Sequence, residues 1–257
     1  MNSDSDRPSN LSPATLGADG SAQGHPTTAL VTGGAGFIGS HLVRELLQSG
    51  QHVVVFDNLS TGTLAHLQLD HPNLVFIQGD IVDTQSLRKA FVDCQPQTVW
   101  HLAALHFIPY CNSHPTETIR VNVMGTQHVT NCCLEFGVRE LIYTSSAAVY
   151  PVADRAFSEE DPPSPSDVYG ITKLAGEMLL AAFHEGSGIR CIIARLFNIY
   201  GSGETNWHVI PEIVDQALKG NTVHLGNTNP KRDFIHVHDV VSALRSLAEA
   251  RWINYGT

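Results

Sequence analysis

Apolar positions in this chain collect into short continuous runs, separated by stretches where they recur at helical spacing. The runs Thr28–Thr32, His52–Asp57, Leu74–Gln78, Thr98–Leu102, Glu140–Ser145 and Arg190–Arg195 predict strands. Helical periodicity predicts helices over Ile38–Gln48, Thr84–Asp93, Pro115–Phe136 and Val168–Glu185. Strand–helix alternation of this kind predicts an α/β fold with a parallel sheet and helices on both faces. Right-handed crossovers then place a ligand along the carboxyl ends of the strands, near the switch in strand order. Small or polar residues stand at those ends: Asp57, Asp80-Ile81, Leu102-Ala103-Ala104 and Ser145-Ser146.

The first strand runs directly into Gly33-x-x-Gly36-x-x-Gly39, and the first helix follows at once. Glycines at this spacing allow a tight turn, close approach of a pyrophosphate to the backbone, and close packing of helix on strand. The helix start adds free N–H groups and a partial positive charge for the anion. Asp57 closes the second strand about 20 residues later, where a dinucleotide fold places the acid that holds a ribose. Its carboxylate can accept both ribose hydroxyls of NAD and repels a 2′-phosphate, so NAD is favoured over NADP. The sheet is therefore expected to be a Rossmann-like, doubly wound one.

Composition narrows the class. In 257 residues with 42% hydrophobic content there is material for a large core, or a core plus a small lobe. The net charge of −10 and the absence of a basic cluster argue against a nucleic-acid partner. Residues 1–26 are rich in Ser, Asp, Asn, Pro and Gly and read as a disordered tail, without the apolar core of a signal peptide. No apolar run is long enough to span a bilayer, so no membrane partner is expected and a cytoplasmic location is. The five cysteines, Cys94, Cys111, Cys132, Cys133 and Cys191, lack metal-type spacing and fit free thiols in a reducing compartment. His236-Val237-His238-Asp239 would put two rings on one face of a strand but offers no third ligand, so no metal is expected.

Tyr169-Gly170-Ile171-Thr172-Lys173 carries the chemistry. Four residues apart on a helix, Tyr169 and Lys173 share one face. A phenol is a poor base at neutral pH, with an ordinary pKa of about 10. A neighbouring ammonium favours the phenolate and brings the group towards the working range. Ser146, in the serine-rich strand end Tyr143 to Tyr150, is placed to hydrogen-bond the substrate oxygen that Tyr169 deprotonates. Arg232 suits a diphosphate, because a guanidinium binds it bidentately.

These motifs resemble the extended short-chain dehydrogenases/reductases, specifically the NAD-dependent epimerase/dehydratase family, and within it most closely the UDP-glucose 4-epimerase branch. The matching pieces run from Ala29 to Thr257 and include Thr32 to Gly39, Asp57-Asn58-Leu59, Gly79-Asp80-Ile81, His101 to Ala104, Asn122 to Thr126, Ser145 to Tyr150, Tyr169 to Lys173, Arg195 to Asn198 and Arg232 to Val237. The resemblance implies that Ser146, Tyr169 and Lys173 are catalytic. It implies an NAD site made of Gly33, Gly36, Phe37, Ile38, Gly39, Asp57, Asn58, Leu59, Ser60, Thr61, Gly62, Asp80, Ile81, Leu102, Ala103, Ala104, His106, Asn122, Phe197 and the Tyr169–Lys173 pair. It implies that Ser146, Asn198, His208 and Arg232 meet the nucleotide-diphosphate sugar, a UDP-sugar. His106 stands where close relatives often carry lysine, and His208 where they often carry asparagine. The resemblance also implies a homodimer, formed as a four-helix bundle by Pro115–Phe136 and Val168–Glu185.

Residues absent from the chain sharpen the expected reaction. Dehydratases of the family carry an Asp-Glu pair at the positions of Ala147 and Ala148, and glucuronate decarboxylases a glutamate at Ala148. Without a second acid/base, hydride transfer and its reversal remain, which is 4-epimerisation through a transient 4-keto sugar, or simple oxidation/reduction. The competing enzyme reading is a sugar-nucleotide reductase or dehydrogenase, and the non-enzyme reading a dinucleotide-binding sensor or scaffold. Three regions are expected: the tail 1–26, an NAD-binding domain 27–195, and a sugar-nucleotide lobe 196–257 interleaved with the last strands. The resemblance implies that this lobe is partial, because family members continue past a segment like Ile253–Thr257.

Overall fold

The computed structural model describes residues 27–204, 206, 208–229 and 231–250. The expected tail 1–26 and the segment Ile253–Thr257 lie outside the described residues. Within them the chain runs β1 (Thr28–Thr32), α1 (Phe37–Gln48), β2 (His52–Asp57), β3 (Leu74–Gln78), α2 (Thr84–Cys94), β4 (Thr98–His101), α3 (Ile108–Ser113), α4 (Pro115–Ile119), a π-helical turn (Arg120–Met124), α5 (Gly125–Glu135), β5 (Glu140–Ser146), α6 (Val168–Ser187), β6 (Arg190–Leu196), β7 (Asn198–Tyr200), α7 (Val209–Lys219), β8 (Phe234–His236) and α8 (Val237–Glu249).

The main sheet has the order β3-β2-β1-β4-β5-β6, and all its strands pair in parallel. Strand order reverses between β1 and β4, which opens a crevice at their carboxyl ends. Alternate strand residues feed two apolar layers, as the period of two requires. On one face Ala29, Val31, Val53 and Val55 pack with Leu42, Leu46, Val241 and Leu244 of α1 and α8. On the other, Leu30, Val54, Phe56 and Val99 pack with Leu87 and Phe91 of α2, Val129 and Cys133 of α5, and Leu180 of α6. Loss of one such side chain, as in Leu46→Ala, is expected to cost about 2–5 kcal/mol. Burial on both faces fixes where the strand ends point, and so fixes the crevice.

Outside this sheet, β7 and β8 form a parallel pair in register Asn198↔Phe234. Helix α7 buries none of its residues. The expected helix Pro115–Phe136 is divided by its π-helical turn, where the side chain of Asn122 is drawn into bonds with Leu105 and Thr172. The reading of His236 to Asp239 as strand is also corrected. The strand stops at His236, whose ring Nδ1 accepts the His238 N–H at 3.3 Å and caps α8. The two rings meet edge to face with centroids 4.8 Å apart. Among the described residues, no group of three or more His, Cys, Asp or Glu could hold a metal ion. No helix among them is long and apolar enough to cross a membrane.

Candidate active site

A cleft of about 660 Å³ opens at the carboxyl ends of β1, β2, β4 and β5. It is lined by Gly33, Gly36, Phe37, Ile38, Gly39, Asp57, Asn58, Ser60, Thr61, Asp80, Ile81, Leu102, Ala103, Ala104 and His106. Ser146, Tyr169, Lys173, Phe197, Asn198, His208 and Arg232 line the same space. Three residues expected at the NAD site do not. Leu59, with φ of 60°, packs against the core. Gly62 fits closely under the glycine turn, where a Cβ would lie 2.8 Å from the Ala35 carbonyl. Asn122 is buried and accepts the Leu105 N–H at 2.8 Å while donating to the Leu105 carbonyl at 2.8 Å and to Thr172 Oγ1 at 3.0 Å. It ties the loop after β4 to α6, one layer behind the cleft.

The glycine turn is built for backbone contact. Gly33 has φ of 73°, and a Cβ there would fall 2.7 Å from the Ala103 nitrogen. A Cβ on Gly39 would fall 2.1 Å from the Gly33 carbonyl oxygen, so no side chain fits between turn and helix. Gly36 is the N-cap of α1 and supplies no side-chain cap, so the N–H groups of the first turn, at the cleft-lining Phe37, Ile38 and Gly39, are available to an anion. Asp57 Oδ2 accepts the Ala35 N–H at 2.9 Å and Oδ1 the Leu59 N–H at 2.8 Å, which locks the carboxylate beside the turn. Each oxygen keeps a further acceptor site for a ribose hydroxyl. Asn58 donates to Asp80 Oδ2 at 3.0 Å and joins the ends of β2 and β3. This cradle, with glycine backbone at the turn and an acceptor at its border, fits a dinucleotide.

The reactive groups meet opposite it. Asp167 caps α6 by accepting the Gly170 N–H at 2.8 Å, which fixes the first turn that carries Tyr169. The Ser146 and Tyr169 side chains both line the cleft, and Ser146 Oγ accepts the Ala148 N–H at 3.1 Å. Lys173 Nζ lies 5.9 Å from the Tyr169 ring centroid and donates to the Thr144 carbonyl at 2.8 Å. Where the sequence predicts a phenol drawn down by Lys173, burial instead pushes Tyr169 up to about 12, and the polar Ser146 side chain opposes that rise. Burial also pulls the Lys173 ammonium down to about 7, with Cys111 and Glu177 acting to hold its charge. Phenol and amine thus sit side by side in a place that disfavours charge on either, an arrangement suited to moving one proton at a fixed oxygen.

Across the cleft, Asn198 donates to the Asp233 carbonyl at 3.1 Å, and the exposed Arg232 donates to the Lys231 carbonyl at 3.0 Å. His208 stands at the start of α7, 3.4 Å from Glu204, and its bond to that carboxylate raises its pKa. His106 Nε2 meets Asn206 Nδ2 at 2.7 Å, and burial holds the imidazole below its ordinary pKa. Sequence reasoning missed Glu204 and Asn206, which come near the cleft only through the turn after β7. It placed His101 in a matching motif but gave it no role. That ring is buried between Thr32 Oγ1 at 2.7 Å and Thr126 Oγ1 at 3.0 Å, and burial lowers it to about 3, so it stays neutral.

Residues 29–253 match the NAD dependent epimerase/dehydratase family. The UDP-glucose 4-epimerase of Lactobacillus helveticus is 34% identical over 232 residues, which is 83% of this chain and 69% of that protein. Among solved structures, a UDP-N-acetylglucosamine 4-epimerase from Methanobrevibacter ruminantium M1, in complex with UDP-N-acetylmuramic acid, has a TM-score of 0.81 at 31% identity, covering 88% of this chain and 74% of its own. The UDP-glucose 4-epimerase of Thermus thermophilus, in complex with NAD, has a TM-score of 0.79 at 31% identity, covering 86% of this chain and 74% of its own.

Proposed function

This chain belongs to the NAD-dependent epimerase/dehydratase family, and we propose that it interconverts the 4-epimers of a UDP-hexose of the UDP-glucose/UDP-galactose type. Its cofactor is NAD. One observation carries the reading: Ser146, Tyr169 and Lys173 converge on a cleft with a dinucleotide cradle, while the next positions are Ala147 and Ala148. NAD, when bound, supplies reversible uptake of hydride from the sugar carbon. Tyr169, as phenolate, takes the proton of the 4-hydroxyl and later gives it back to the same oxygen. Ser146 holds that oxygen through its hydroxyl, and Lys173 supplies the positive charge that a phenolate in this buried place requires. Ala147 and Ala148 provide no group to move a proton at a neighbouring carbon, so a 4-keto sugar could only be reduced again at C4, and reduction on its opposite face, once it has turned over in the cleft, would give the 4-epimer. Asn198, His208 and Arg232 face the diphosphate and sugar.

The assignment of roles fits the geometry of the other cleft residues. Gly33, Gly36 and Gly39 bring backbone to the pyrophosphate, Asp57 takes the adenosine ribose, and Asn58, Ser60, Thr61, Asp80 and Ile81 surround the adenosine. Leu102, Ala103, Ala104, His106 and Phe197 flank the nicotinamide half. The five free cysteines suit a reducing cytoplasm. The exposed Ile171 and Met178 on α6, with Leu134 on α5, support a homodimer through these helices. Light scattering is expected to give twice the chain mass at micromolar concentration, and a monomer would remove the dimer.

Proton NMR of UDP-galactose incubated with the protein and NAD tests the activity directly. UDP-glucose is expected to appear without net reduction of NAD. A parallel sample with UDP-N-acetylgalactosamine decides whether the sugar carries an acetamido group. Net accumulation of NADH would instead mark a dehydrogenase, and no turnover of either sugar would end the proposal.

A further inference from the structure

Glu177 takes no part in the proton transfer described above, yet its carboxylate is surrounded by donors. Ser145 Oγ donates to its Oε1. Arg195 donates from Nε to Oε1 at 3.0 Å and from Nη2 to Oε2 at 2.7 Å, a bidentate pair. The same guanidinium donates from Nη1 to the Tyr150 hydroxyl at 2.8 Å and stands 4.9 Å from the centroid of that ring. Glu177 is only 6% exposed and Ser145 3%. Removing such charges from water is costly, and an apolar cluster of equal volume would join the same elements at least as firmly. The charge therefore calls for a task beyond adhesion.

Its neighbours supply one. Ser145 directly precedes Ser146 on β5, and Arg195 lies on β6 just before the cleft residues Phe197 and Asn198. On α6, Glu177 follows Lys173 by one turn and Tyr169 by two, on the same face. We propose that Glu177, fixed by Arg195 and Ser145, is a positioning residue that holds Lys173 as an ammonium and keeps Tyr169 aligned with Ser146. The inference rests on the assignment of Ser146, Tyr169 and Lys173 made above. The groups that face Lys173 are Tyr169 and Glu177 from its own helix, Tyr143 and the Thr144 carbonyl from β5, Cys111 from α3, His101 from β4 and His106 from the loop after β4. Of these, Glu177 is the carboxylate; the Arg195 guanidinium from β6 offsets part of its charge, and the remainder opposes the loss of the lysine proton that burial favours.

The test reads Lys173 itself. In protein carrying ¹³C-labelled lysine, the Lys173 resonance is assigned by its loss in Lys173→Met and titrated in the NAD-loaded enzyme. In Glu177→Gln its midpoint is expected to fall by about one pH unit. Turnover of UDP-galactose is expected to drop by up to about 10²-fold through kcat, with KM little changed, because a small misplacement of reacting groups has that effect. The alkaline limb of the kcat profile should move to lower pH, since the variant loses its ammonium earlier. A brace without electrostatic work would lower thermal stability and leave both the midpoint and that limb in place, which would overturn the inference. Should Glu177→Gln fail to fold, Glu177→Asp withdraws the carboxylate by one methylene, and a Lys173 midpoint at the wild-type value would overturn it equally. Tyr169→Phe separates the two readings. If that variant keeps its turnover the functional assignment falls, while the Lys173 titration still decides what Glu177 does.

Discussion

At the β1–α1 turn the cleft is walled by backbone, and the space there is set to within a fraction of an ångström: a Cβ on Gly39 would meet the Gly33 oxygen at 2.1 Å. On the far side, the wall is side chain. Arg232 and Asn198 are exposed and, among the described residues, their side chains donate to the carbonyls of Lys231 and Asp233, while α7 buries none of its residues. The first wall is preformed, because its shape follows from a sheet packed on both faces. The second can adjust, because long side chains must be ordered when the ligand arrives, at a cost in entropy. The proposed 4-epimerisation asks for a dinucleotide that stays bound and a sugar that turns over within the site, and the two walls suit these respectively.

The largest effect separates the chemistry from both walls. Tyr169→Phe is expected to lower turnover by roughly 10²–10⁴-fold while NAD content after purification is unchanged. A loss below about tenfold would mean that another group moves the proton. Loss of NAD in this variant would break the comparison, because the backbone wall would then depend on the reacting residues.

Next comes the side-chain wall alone. Replacing Arg232 by Met removes charged hydrogen bonds worth about 1.5–3 kcal/mol, so calorimetry should show UDP-glucose bound about 10–10²-fold more weakly, with NAD affinity unaltered. Equal weakening of both ligands would show that the two walls are coupled.

What the sequence revealed follows the same division. The six strands of the main sheet were legible almost to the residue because β-type runs between helical stretches leave few alternatives, and β1, β2 and β3 match the expected ranges, whereas the short pair β7 and β8 was missed. The glycine turn was legible because its function needs no side chain. The π-helical turn was not. It depends on Asn122 reaching Leu105 and Thr172, and sequence periodicity does not register such distant partners. The same holds for Glu177 with Arg195, which are 18 positions apart and meet only when α6 lies on β5 and β6. Glu204 was likewise hidden in a turn whose path no local pattern specifies. Local geometry was readable, and polar networks between elements were not.

A smaller effect sharpens the account of the backbone wall. Asp57 is held there by the N–H groups of Ala35 and Leu59, so its position survives without a ligand. Asp57→Ser removes the charge that repels a 2′-phosphate and an acceptor for the ribose. The ratio of NAD to NADP affinity is expected to fall by about tenfold, or about 1.4 kcal/mol. Fluorescence titration of cofactor-free protein with each dinucleotide measures it, and an unchanged ratio would transfer cofactor choice to some other residue.

The smallest effect lies at His208 and tests how adjustable the sugar wall is. Its pKa is raised chiefly by the bond to Glu204, so the imidazolium persists above the usual histidine range. Below that titration a cation faces the diphosphate, and above it a neutral ring does. Affinity for UDP-glucose, whose diphosphate does not titrate in this range, should therefore fall as pH rises through the His208 midpoint. The His208 side chain is half exposed and Glu204 already neutralises part of the charge, so solvent and partner both reduce the effect. A fall of roughly two- to fivefold is expected, the scale of exposed ion pairs. His208→Asn should flatten the profile. Glu204→Gln should keep the fall but move it to lower pH, because the imidazolium then lacks its carboxylate. Calorimetry of the three proteins across the neutral range decides between these outcomes. A fall that persists unchanged in His208→Asn would assign the pH dependence to another group and leave His208 as a passive start to α7.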